Sequence, residues 1–424
     1  MADPLLSFFG DDFTGSTDAL ELLSLAGLRT RLFTRVPPEA ELSGLDAYGV
    51  AGETRAMTAD DLERTLRDVL SRMAKLPARL VHYKVCSTFD SSPQVGSIGR
   101  AIDAGFDAFH PAYVPVVAAA PSLGRYCAFG NLFARFGGDG EVFRLDRHPS
   151  VSRHPVTPMT EADLTLHLAQ QTSRPIKLLD FRHYEASHAD ALAEMQRHRD
   201  AVVLCDLLSE GDLPRLGQLL DQSATARFLV GSSGVESALL AWWRADGTFK
   251  CAPAPSSPPV LNTPLLVLCG SCSPVSIAQV KWATERGFAQ VVVEANAPRS
   301  ASEAIAYLRE GRHVIVHTAG DRERTDADRT AIARALAEAG RAIVDAMPIH
   351  RVVVAGGDTS GAVARAMKID SFEMLAPLVR GAPVVRAAAS GSPAEGVEFV
   401  FKGGQVGNAS FFGTAAGVER GDGK

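Results

Sequence analysis

Two adjacent carboxylates follow the first apolar run of the chain, in the stretch GDDFTGSTDA. Asp11 and Asp12 precede a helical pattern, and paired acids at such a turn can accept hydrogen bonds from hydroxyl groups or act as a general base. The alternative is that one of them simply caps the helix. Because capping needs only one acid, the pair predicts a site for the hydroxyl groups of a polyol, with Asp12 as a candidate catalytic residue.

A glycine-rich turn in the stretch AGGDTSGAVARAM offers a different chemistry. Gly356 and Gly357 allow the backbone to approach a phosphate closely, and Thr359 adds a hydroxyl donor. Asp358 could hold Mg2+ directly or through water, and it competes with Asp12 for the role of catalytic base. The alternative is an ordinary glycine-rich turn that Asp358 or Thr359 caps.

Two further segments of the C-terminal half suit phosphate groups. GSCSP contributes Ser271 and Ser273, and FKGGQVG contributes Lys402 with Gly404 and Gly407. A lysine beside flexible backbone can neutralise a phosphate, whereas a solvated lysine in a hairpin loop is the alternative. Three phosphate-compatible elements in one part of the chain predict a nucleotide-binding domain.

Polar side chains on loops of the N-terminal half are candidates for binding a carboxylate-bearing substrate. Four of them are cationic or can become so, namely Arg55, Lys84, Arg125 and His154, and Ser87 shares the loop of Lys84. Any single one of these cations is more often a surface charge, which is the alternative for each.

Alternating strands and helices must position these turns. Strand-like apolar runs such as LLSFF and RVVVA are separated by amphipathic patterns such as DLERTLRDVLSRM. This alternation predicts an α/β fold in which strand-to-helix turns lie at the carboxyl edge of a mostly parallel sheet, where ligands bind. A Pro-, Ser- and Ala-rich stretch predicts a linker at 246–262. It would join domains 1–245 and 263–424, each with a mostly parallel sheet flanked by helices.

The composition excludes several classes of protein. The 424 residues are 46% hydrophobic and 22% charged with a net charge of -6, which is typical of a globular protein without affinity for nucleic acid. Six cysteines are too few for a disulfide scaffold, so they are expected to be reduced. The first residues lack a signal-peptide pattern, and no apolar run has membrane-spanning length, which predicts a cytoplasmic protein.

These motifs together resemble the four-carbon acid sugar kinases over essentially the whole chain. The N-terminal motifs are DDFTG at 11–15, Thr54–Arg55, Gly124–Arg125, HPVTPM at 154–159 and GSSG at 231–234. The C-terminal motifs are GSCS with Gln279, GGDTS at 356–360 and the K-x-G-x-x-G of Lys402, Gly404 and Gly407.

The resemblance implies ATP-dependent phosphorylation of a terminal hydroxyl of a small sugar acid. It implies a sugar-acid-binding N-terminal domain, a nucleotide-binding C-terminal domain, an active site in the interdomain cleft, and ATP with Mg2+ as cofactors. The acid would be threonate, erythronate, a 3-oxo-tetronate or a branched oxo-acid such as 3-oxo-isoapionate. A homodimer is the assembly considered, with neither nucleic acid nor membrane as a partner.

One loop departs from the family pattern. Many members read K-x-D-S-T-L-R-G where this chain has Cys86 and Asp90 in place of the acid and the arginine. We interpret this as a change of substrate, because the nucleotide motifs are intact. The rival hypothesis is a non-catalytic sensor of a sugar acid and nucleotide. A dinucleotide oxidoreductase is disfavoured because the chain lacks GxGxxG after its first strand.

Overall fold

Buried apolar runs followed by helices build almost the whole chain. The computed structural model describes residues 3–137, 140–154, 156–223, 226–249, 258, 260–293, 299–318 and 326–418. The first part contains β1 (Leu6–Gly10), α1 (Phe13–Leu25), β2 (Thr30–Phe33), β3 (Ala47–Ala51), α2 (Ala59–Met73), β4 (Leu80–Lys84), α3 (Ile98–Phe109), β5 (Tyr113–Val117), β6 (Arg125–Ala128), β7 (Asn131–Arg135), β8 (Val142–Arg144), α4 (Leu164–Ala169), β9 (Ile176–Leu179), α5 (His188–Gln196), β10 (Ala201–Cys205), α6 (Leu213–Gln222), β11 (Phe228–Gly231) and α7 (Gly234–Asp246). The second part contains β12 (Leu266–Cys269), α8 (Pro274–Thr284), β13 (Ala289–Val292), α9 (Arg299–Arg309), β14 (Val314–His317), α10 (Asp326–Ala346), β15 (Arg351–Ala355), α11 (Gly357–Ala366), β16 (Ser371–Val379), β17 (Ala382–Ala388), β18 (Glu398–Lys402) and α12 (Phe411–Ala416).

The chain divides into two units. The N-terminal unit comprises residues 1–15, 25–29 and 36–253, and the C-terminal unit comprises residues 16–24, 30–35 and 254–424. Strand β2 and much of helix α1 therefore belong with the C-terminal unit, although they are early in the sequence. None of the helices within the described residues has the length and apolar character needed to cross a lipid bilayer.

The N-terminal unit contains a parallel sheet with strand order β3-β1-β4-β11-β5-β10-β9. Apart from the edge strand β9, its strands are almost fully buried, which explains their continuous apolar sequences. Strands β6, β7 and β8 form a small antiparallel sheet of their own. The carboxyl ends of β1 and β4 are neighbours, because Gly10 pairs with Lys84. The residues that follow these two strands therefore share one edge of the sheet.

The C-terminal unit begins with five parallel strands in the order β13-β14-β12-β15-β18. The sheet continues through β17, β16 and β2, which are antiparallel to their neighbours. Its core packs Val267, Val353 and Val400 from the parallel strands against Phe411 of α12. The strand ends at Cys269, Ala355 and Lys402 again meet at one edge.

The predicted fold class is confirmed, since each unit has a mostly parallel sheet with helices. The predicted domain limits, 1–245 and 263–424, stay a prediction. Most of the predicted linker at 246–262 lies outside the described residues. The predicted helix at residues 61–73 is present as α2, with Leu62, Leu66, Leu70 and Met73 buried.

Candidate active site

Arg55 binds both carboxylates of the first turn. Its Nε and Nη2 donate to the two oxygens of Asp11 over 2.9 and 2.6 Å. Its Nη1 and Nη2 also donate to the two oxygens of Asp12 over 3.0 and 2.9 Å. Four of the five N–H donors of a guanidinium are therefore used within this turn. At most one donor of Arg55 is left for a substrate while these bonds hold.

The two acids of this turn have different surroundings. The Asp11 side chain is 5% exposed and that of Asp12 is 18% exposed. Asp12 also caps helix α1, since its Oδ1 accepts the Gly15 N–H over 2.7 Å and its Oδ2 accepts the Thr14 hydroxyl over 2.8 Å. The helix-cap alternative thus describes Asp12 correctly, whereas Asp11 serves the ion pair with Arg55. Asp12 is the one of the two that a bound molecule can reach more readily.

Burial raises the pKa of Asp11, while the charges of Arg55 and Lys84 favour its ionised form. Each of its oxygens accepts an N–H from Arg55, which is the geometry of a carboxylate. Interaction with Asp11 and Asp12 also raises the pKa of Arg55 despite its burial. The turn is therefore an ionised network that holds Asp12 in place.

Lys84 ends strand β4 and is 2% exposed. Glu236, in the first turn of α7, is fully buried and interacts electrostatically with Lys84. Burial opposes ionisation of Glu236, but His82 and Lys84 outweigh it and lower the pKa. His82 places Nδ1 3.1 Å from Glu236 Oε1 and Nε2 3.1 Å from the Gly231 carbonyl oxygen. Glu236 is therefore a buried, ionised carboxylate that interacts with the charge of Lys84.

In the loop after Lys84, the two residues that depart from the family pattern, Cys86 and Asp90, contact each other. The Cys86 thiol lies 3.0 Å from Thr88 Oγ1 and donates to Asp90 Oδ2 over 3.0 Å. Burial and the charge of Asp90 raise the pKa of Cys86 to about 12, so the thiol stays protonated. Ser87 is half-buried and forms no hydrogen bond with any described residue. Cys86 and Asp90 therefore bind each other and shape this loop.

Arg125 begins strand β6 and interacts electrostatically with Cys86 and Asp90. Burial lowers its pKa, and these two residues oppose that effect. Its Nη1 donates to the Leu123 carbonyl over 2.7 Å, while its Nε is buried without a partner among the described residues. Arg125 therefore lies close enough to the 84–92 loop to share its electrostatic field.

His154 lies in a different turn from these residues. Its Nδ1 accepts the Thr157 N–H over 3.0 Å, so Nε2 carries the proton of a neutral ring. Among the described residues, none of its hydrogen bonds reaches the turn of Asp12 or the loop of Lys84. The structure thus brings together Asp11, Asp12, Arg55, Lys84, Cys86, Asp90 and Arg125 in one N-terminal cluster, and it leaves His154 outside the contacts of that cluster.

A nest of serine hydroxyls forms at the start of helix α8 in the C-terminal unit. Ser273 is the N-cap, and its Oγ accepts the Ser276 N–H over 3.1 Å. The hydroxyls of Ser273 and Ser276 both donate to the Gly404 carbonyl, and the hydroxyl of Ser276 lies 3.0 Å from Ser271 Oγ. A side chain at Gly404 would place its Cβ 2.7 Å from Ser271 Oγ, so any larger residue there would force the nest to shift. The K-x-G-x-x-G motif and GSCS therefore form one structure.

Lys402 points into this nest from the end of β18. It is fully buried, and its Nζ donates to Ser276 Oγ over 3.3 Å. Burial lowers its pKa to about 8, with Cys269 opposing the shift. The alternative of a solvated lysine in a hairpin loop is therefore wrong. A buried ammonium with one hydrogen bond to a described side chain, beside a helix N-terminus, is suited to a phosphate group.

The GGDTS turn joins β15 to helix α11. Gly356 has a φ of 116°, a conformation that glycine adopts readily, and its N–H donates to the Lys402 carbonyl over 3.0 Å. Asp358 is exposed in the first turn of α11, whereas Thr359 is buried. Within the described residues, no cluster of three or more His, Cys, Asp or Glu side chains could hold a metal ion. Asp358 is therefore a single exposed carboxylate that could hold Mg2+ only with help from a phosphate or water.

Sequence reasoning missed several residues of these sites. Ser276 completes the nest, and its spacing of three residues from the Ser273 cap was the available signal. His82 and Glu236 support Lys84, but their separation of 154 residues in the chain gave no signal. Gln279, quoted only as part of a motif, donates to the carbonyls of Val406 and Asn408 over 3.0 and 2.9 Å and so fixes the loop after Lys402.

Comparisons with known proteins match two domain models to successive parts of the chain. Residues 6–239 match a family model described as a sugar-binding N-terminal domain, and residues 266–412 match one described as a nucleotide-binding C-terminal domain. A 3-oxo-isoapionate kinase from Paraburkholderia graminis is 43% identical over 96% of this chain and 93% of its own length. A 3-oxo-tetronate kinase from Methylobacterium radiotolerans is 33% identical over 97% of this chain and 98% of its own length.

Solved structures share the fold. A protein from Salmonella typhimurium LT2 superposes with a TM-score of 0.78 at 24% identity, covering 99% of each chain. Haemophilus influenzae protein HI1011 superposes with a TM-score of 0.73 at 21% identity, covering 97% of this chain and 99% of its own. With both domain models matched in order and relatives aligned along nearly its whole length, the chain belongs to the four-carbon acid sugar kinase family.

Proposed function

We propose that this protein is an ATP-dependent kinase that phosphorylates a terminal hydroxyl of a branched oxo-acid of the 3-oxo-isoapionate type. The observation that carries the proposal is the buried Lys402 at the serine nest of α8, inside the region that matches a nucleotide-binding domain. The choice of acid rests on the 43% identity to a 3-oxo-isoapionate kinase, compared with 33% to a 3-oxo-tetronate kinase. The departure at Cys86 and Asp90 supports the same choice.

The N-terminal cluster would bind the acid. Lys84 and Arg125 are proposed to hold its carboxylate, because both are cations of this cluster, Lys84 buried and Arg125 half-buried, and cations bind carboxylates through charge-assisted hydrogen bonds. Asp12 is proposed to orient the acceptor hydroxyl, with Asp11 and Arg55 fixing its position. Arg55 can contribute at most its fifth N–H to the substrate. Ser87 and His154 stay candidate substrate ligands.

The C-terminal nest would bind the phosphates of ATP. Lys402 would neutralise them, while Ser271, Ser273 and the backbone at Gly356, Gly357, Gly404 and Gly407 would supply close polar contacts together with the Thr359 hydroxyl. Asp358 is the proposed Mg2+ ligand, which suits a metal that is commonly held by one or two carboxylates and the phosphates. Phosphoryl transfer needs mainly alignment and charge neutralisation, so Asp12 or Asp358 need act only as a weak base.

The sensor alternative is not favoured, because relatives aligned over nearly the whole chain are named as kinases. A homodimer and a cytoplasmic location stay predictions. Light scattering coupled to gel filtration tests the first, and fractionation of cells tests the second.

The decisive experiment is a coupled assay that follows ADP release with ATP, Mg2+ and a panel of acids. We expect kcat/KM to be highest for 3-oxo-isoapionate, lower for 3-oxo-tetronates and lowest for threonate and erythronate. Absence of turnover with every acid, despite ATP binding, would favour the sensor. A higher kcat/KM for a linear 3-oxo-tetronate would correct the substrate but keep the kinase.

A further inference from the structure

A cavity of about 410 Å3 opens beside the serine nest in the C-terminal unit. Helix α8 contributes both apolar and polar side chains to the lining, namely Ile277, Val280, Lys281, Thr284 and Glu285, and the rest comes from β13 and from the ends of β12 and β14. Its size falls within the range of small-molecule sites, which is about 300–1,000 Å3. A lining that combines aliphatic side chains with polar groups suits a flat heterocycle that carries hydrogen-bonding groups at its edge.

The cavity and the nest share a residue. Ser271 lines the cavity and also contacts Ser276, the side chain that binds the ammonium of Lys402. A molecule whose phosphates lie at Lys402 could therefore extend past Ser271 into the cavity. This continuity argues for the base of the phosphate-bearing substrate as the occupant, rather than for an unrelated ligand.

His317, at the end of β14, is one of the polar residues that line the cavity. Its Nδ1 lies 3.1 Å from the carbonyl oxygen of Thr318, so Nδ1 is the protonated nitrogen. Burial lowers the pKa of this imidazole, which keeps the ring neutral. Its Nε2 is buried and forms no hydrogen bond with the residues that the structure describes. Within the described part of the chain, the cavity wall thus contains a hydrogen-bond acceptor without a partner.

We propose that this cavity binds the adenine of ATP, with His317 Nε2 accepting a hydrogen bond from the exocyclic amino group. Guanine and hypoxanthine have a carbonyl oxygen at that position, and an acceptor facing an acceptor leaves both unpaired. His317 therefore selects adenine nucleotides over those with a 6-oxo base. The inference deepens the proposed kinase function and depends on it for the identity of the phosphate-bearing ligand.

The test compares ATP with ITP, which differ at this position of the base, and with tripolyphosphate, which has no base. Dissociation constants would be measured by calorimetry with Mg2+ for the full-length protein. Wild type should bind ATP at least about tenfold more tightly than ITP, as expected for one buried hydrogen bond and an unpaired group. In His317→Gln the amide can turn to donate or accept, so the ATP-to-ITP ratio should fall close to one.

Ile277→Trp is a second variant that places a large ring at the cavity. Ile277 is 42% exposed, so the substitution should not disturb the core. ATP affinity should fall at least about tenfold while tripolyphosphate affinity is unchanged. Leu166→Trp is the matched control, because Leu166 is an exposed aliphatic residue on a helix of the N-terminal unit.

The outcomes separate the two proposals. If ATP binds to wild type but neither variant changes ATP affinity or the ATP-to-ITP ratio, the cavity is not the adenine site and the kinase proposal stands. If wild type binds neither ATP nor tripolyphosphate, the kinase proposal and the cavity inference both fail.

Discussion

Arg55 donates two parallel hydrogen bonds to Asp11, from Nε to Oδ2 over 2.9 Å and from Nη2 to Oδ1 over 2.6 Å. The Asp11 side chain is only 5% exposed, and the same guanidinium also contacts Asp12. Bidentate geometry fixes both partners in orientation as well as in distance. Arg55 therefore fixes the orientation of two carboxylates that lie more than forty positions earlier in the sequence.

Arg55→Ala should destabilise the fold. Removing one member of a buried ion pair leaves its partner charged and unpaired, which costs about 3–5 kcal/mol of unfolding free energy. The matched control is Arg29→Ala, because Arg29 also forms a bidentate pair, with Asp46, but at the surface. Urea denaturation should show a large loss for the first variant and a small one for the second. Equal losses would mean that Arg55 behaves as a surface residue.

Much of this architecture is predictable from the sequence. The apolar runs at β1 and β15 and the turns after them have clear patterns, so the fold class and the three strand-end turns follow from local reasoning. Strand β16 was not predicted, because Ser371–Val379 contains Glu373 and Pro377 and lacks a simple alternation. The placement of β2 in the C-terminal unit was equally hidden, since its short sequence resembles any buried strand.

The site was predictable in its residue types but not in its pairings. Lys402 was a candidate phosphate ligand, yet its complete burial depends on packing between β18 and the start of α8. The contacts of Arg55 with Asp11 and Asp12 require β1 and β3 to be neighbours, which only the sheet order shows. The role of His317 depends on which ring nitrogen the Thr318 carbonyl engages. Such facts arise from tertiary structure and have no local sequence signal.

Asp12→Asn should separate the catalytic role of Asp12 from its capping role. Asparagine can still accept the Gly15 N–H through its carbonyl oxygen, so the helix cap should be preserved. Its amide nitrogen cannot accept the Arg55 Nη1 N–H as Asp12 Oδ2 does, so the melting temperature should fall while the protein stays folded. Turnover should fall by about 100-fold or more if the carboxylate orients or deprotonates the acceptor hydroxyl. ATP affinity should match that of wild type, because the nucleotide motifs lie in the other unit.

The control for this variant is Asp46→Asn, a partly exposed carboxylate of the same unit. Its turnover should equal that of wild type. Unchanged turnover in Asp12→Asn as well would reduce Asp12 to a helix cap and leave Asp358 as the remaining candidate for the base.

ATP affinity should depend on the charge of Lys402 and hence on pH. Burial places the pKa of Lys402 at about 8 in the unliganded protein, below the ordinary lysine value of 10.5. Phosphate binding favours the ammonium, so the dissociation constant of Mg-ATP should rise as the pH increases through 8, by up to about tenfold per unit. Below pH 7 the ammonium is already formed, and the dependence on this group should vanish.

Lys402→Arg tests the assignment, because a guanidinium stays charged across this range. Its ATP affinity should show a flat pH dependence between 7 and about 9.5, whatever its absolute value. Lys368→Gln, which removes an exposed lysine of the same unit, should keep the wild-type slope. A slope that persists in Lys402→Arg would assign the titration to another group.

The loop formed by Cys86 and Asp90 should set the choice of acid. Asp90 accepts the hydrogen bond of the Cys86 thiol and interacts with Arg125, a proposed ligand of the substrate carboxylate. The double variant Cys86→Asp with Asp90→Arg restores the residue types found in many family members. It also places the hydrogen-bond donor at position 90 and the acceptor at position 86, the reverse of the present contact. The new arginine at position 90 adds a cation near Arg125. The new aspartate at position 86 adds an acid near Arg55, because Arg55 interacts electrostatically with Cys86. We expect kcat/KM to fall for branched oxo-acids and to rise for linear 3-oxo-tetronates, by about tenfold in their ratio.

Thr88→Ser, which keeps the hydroxyl next to Cys86, serves as the control within the loop. If wild type prefers threonate or erythronate, and the double variant leaves the order of preference unchanged, this loop does not determine specificity.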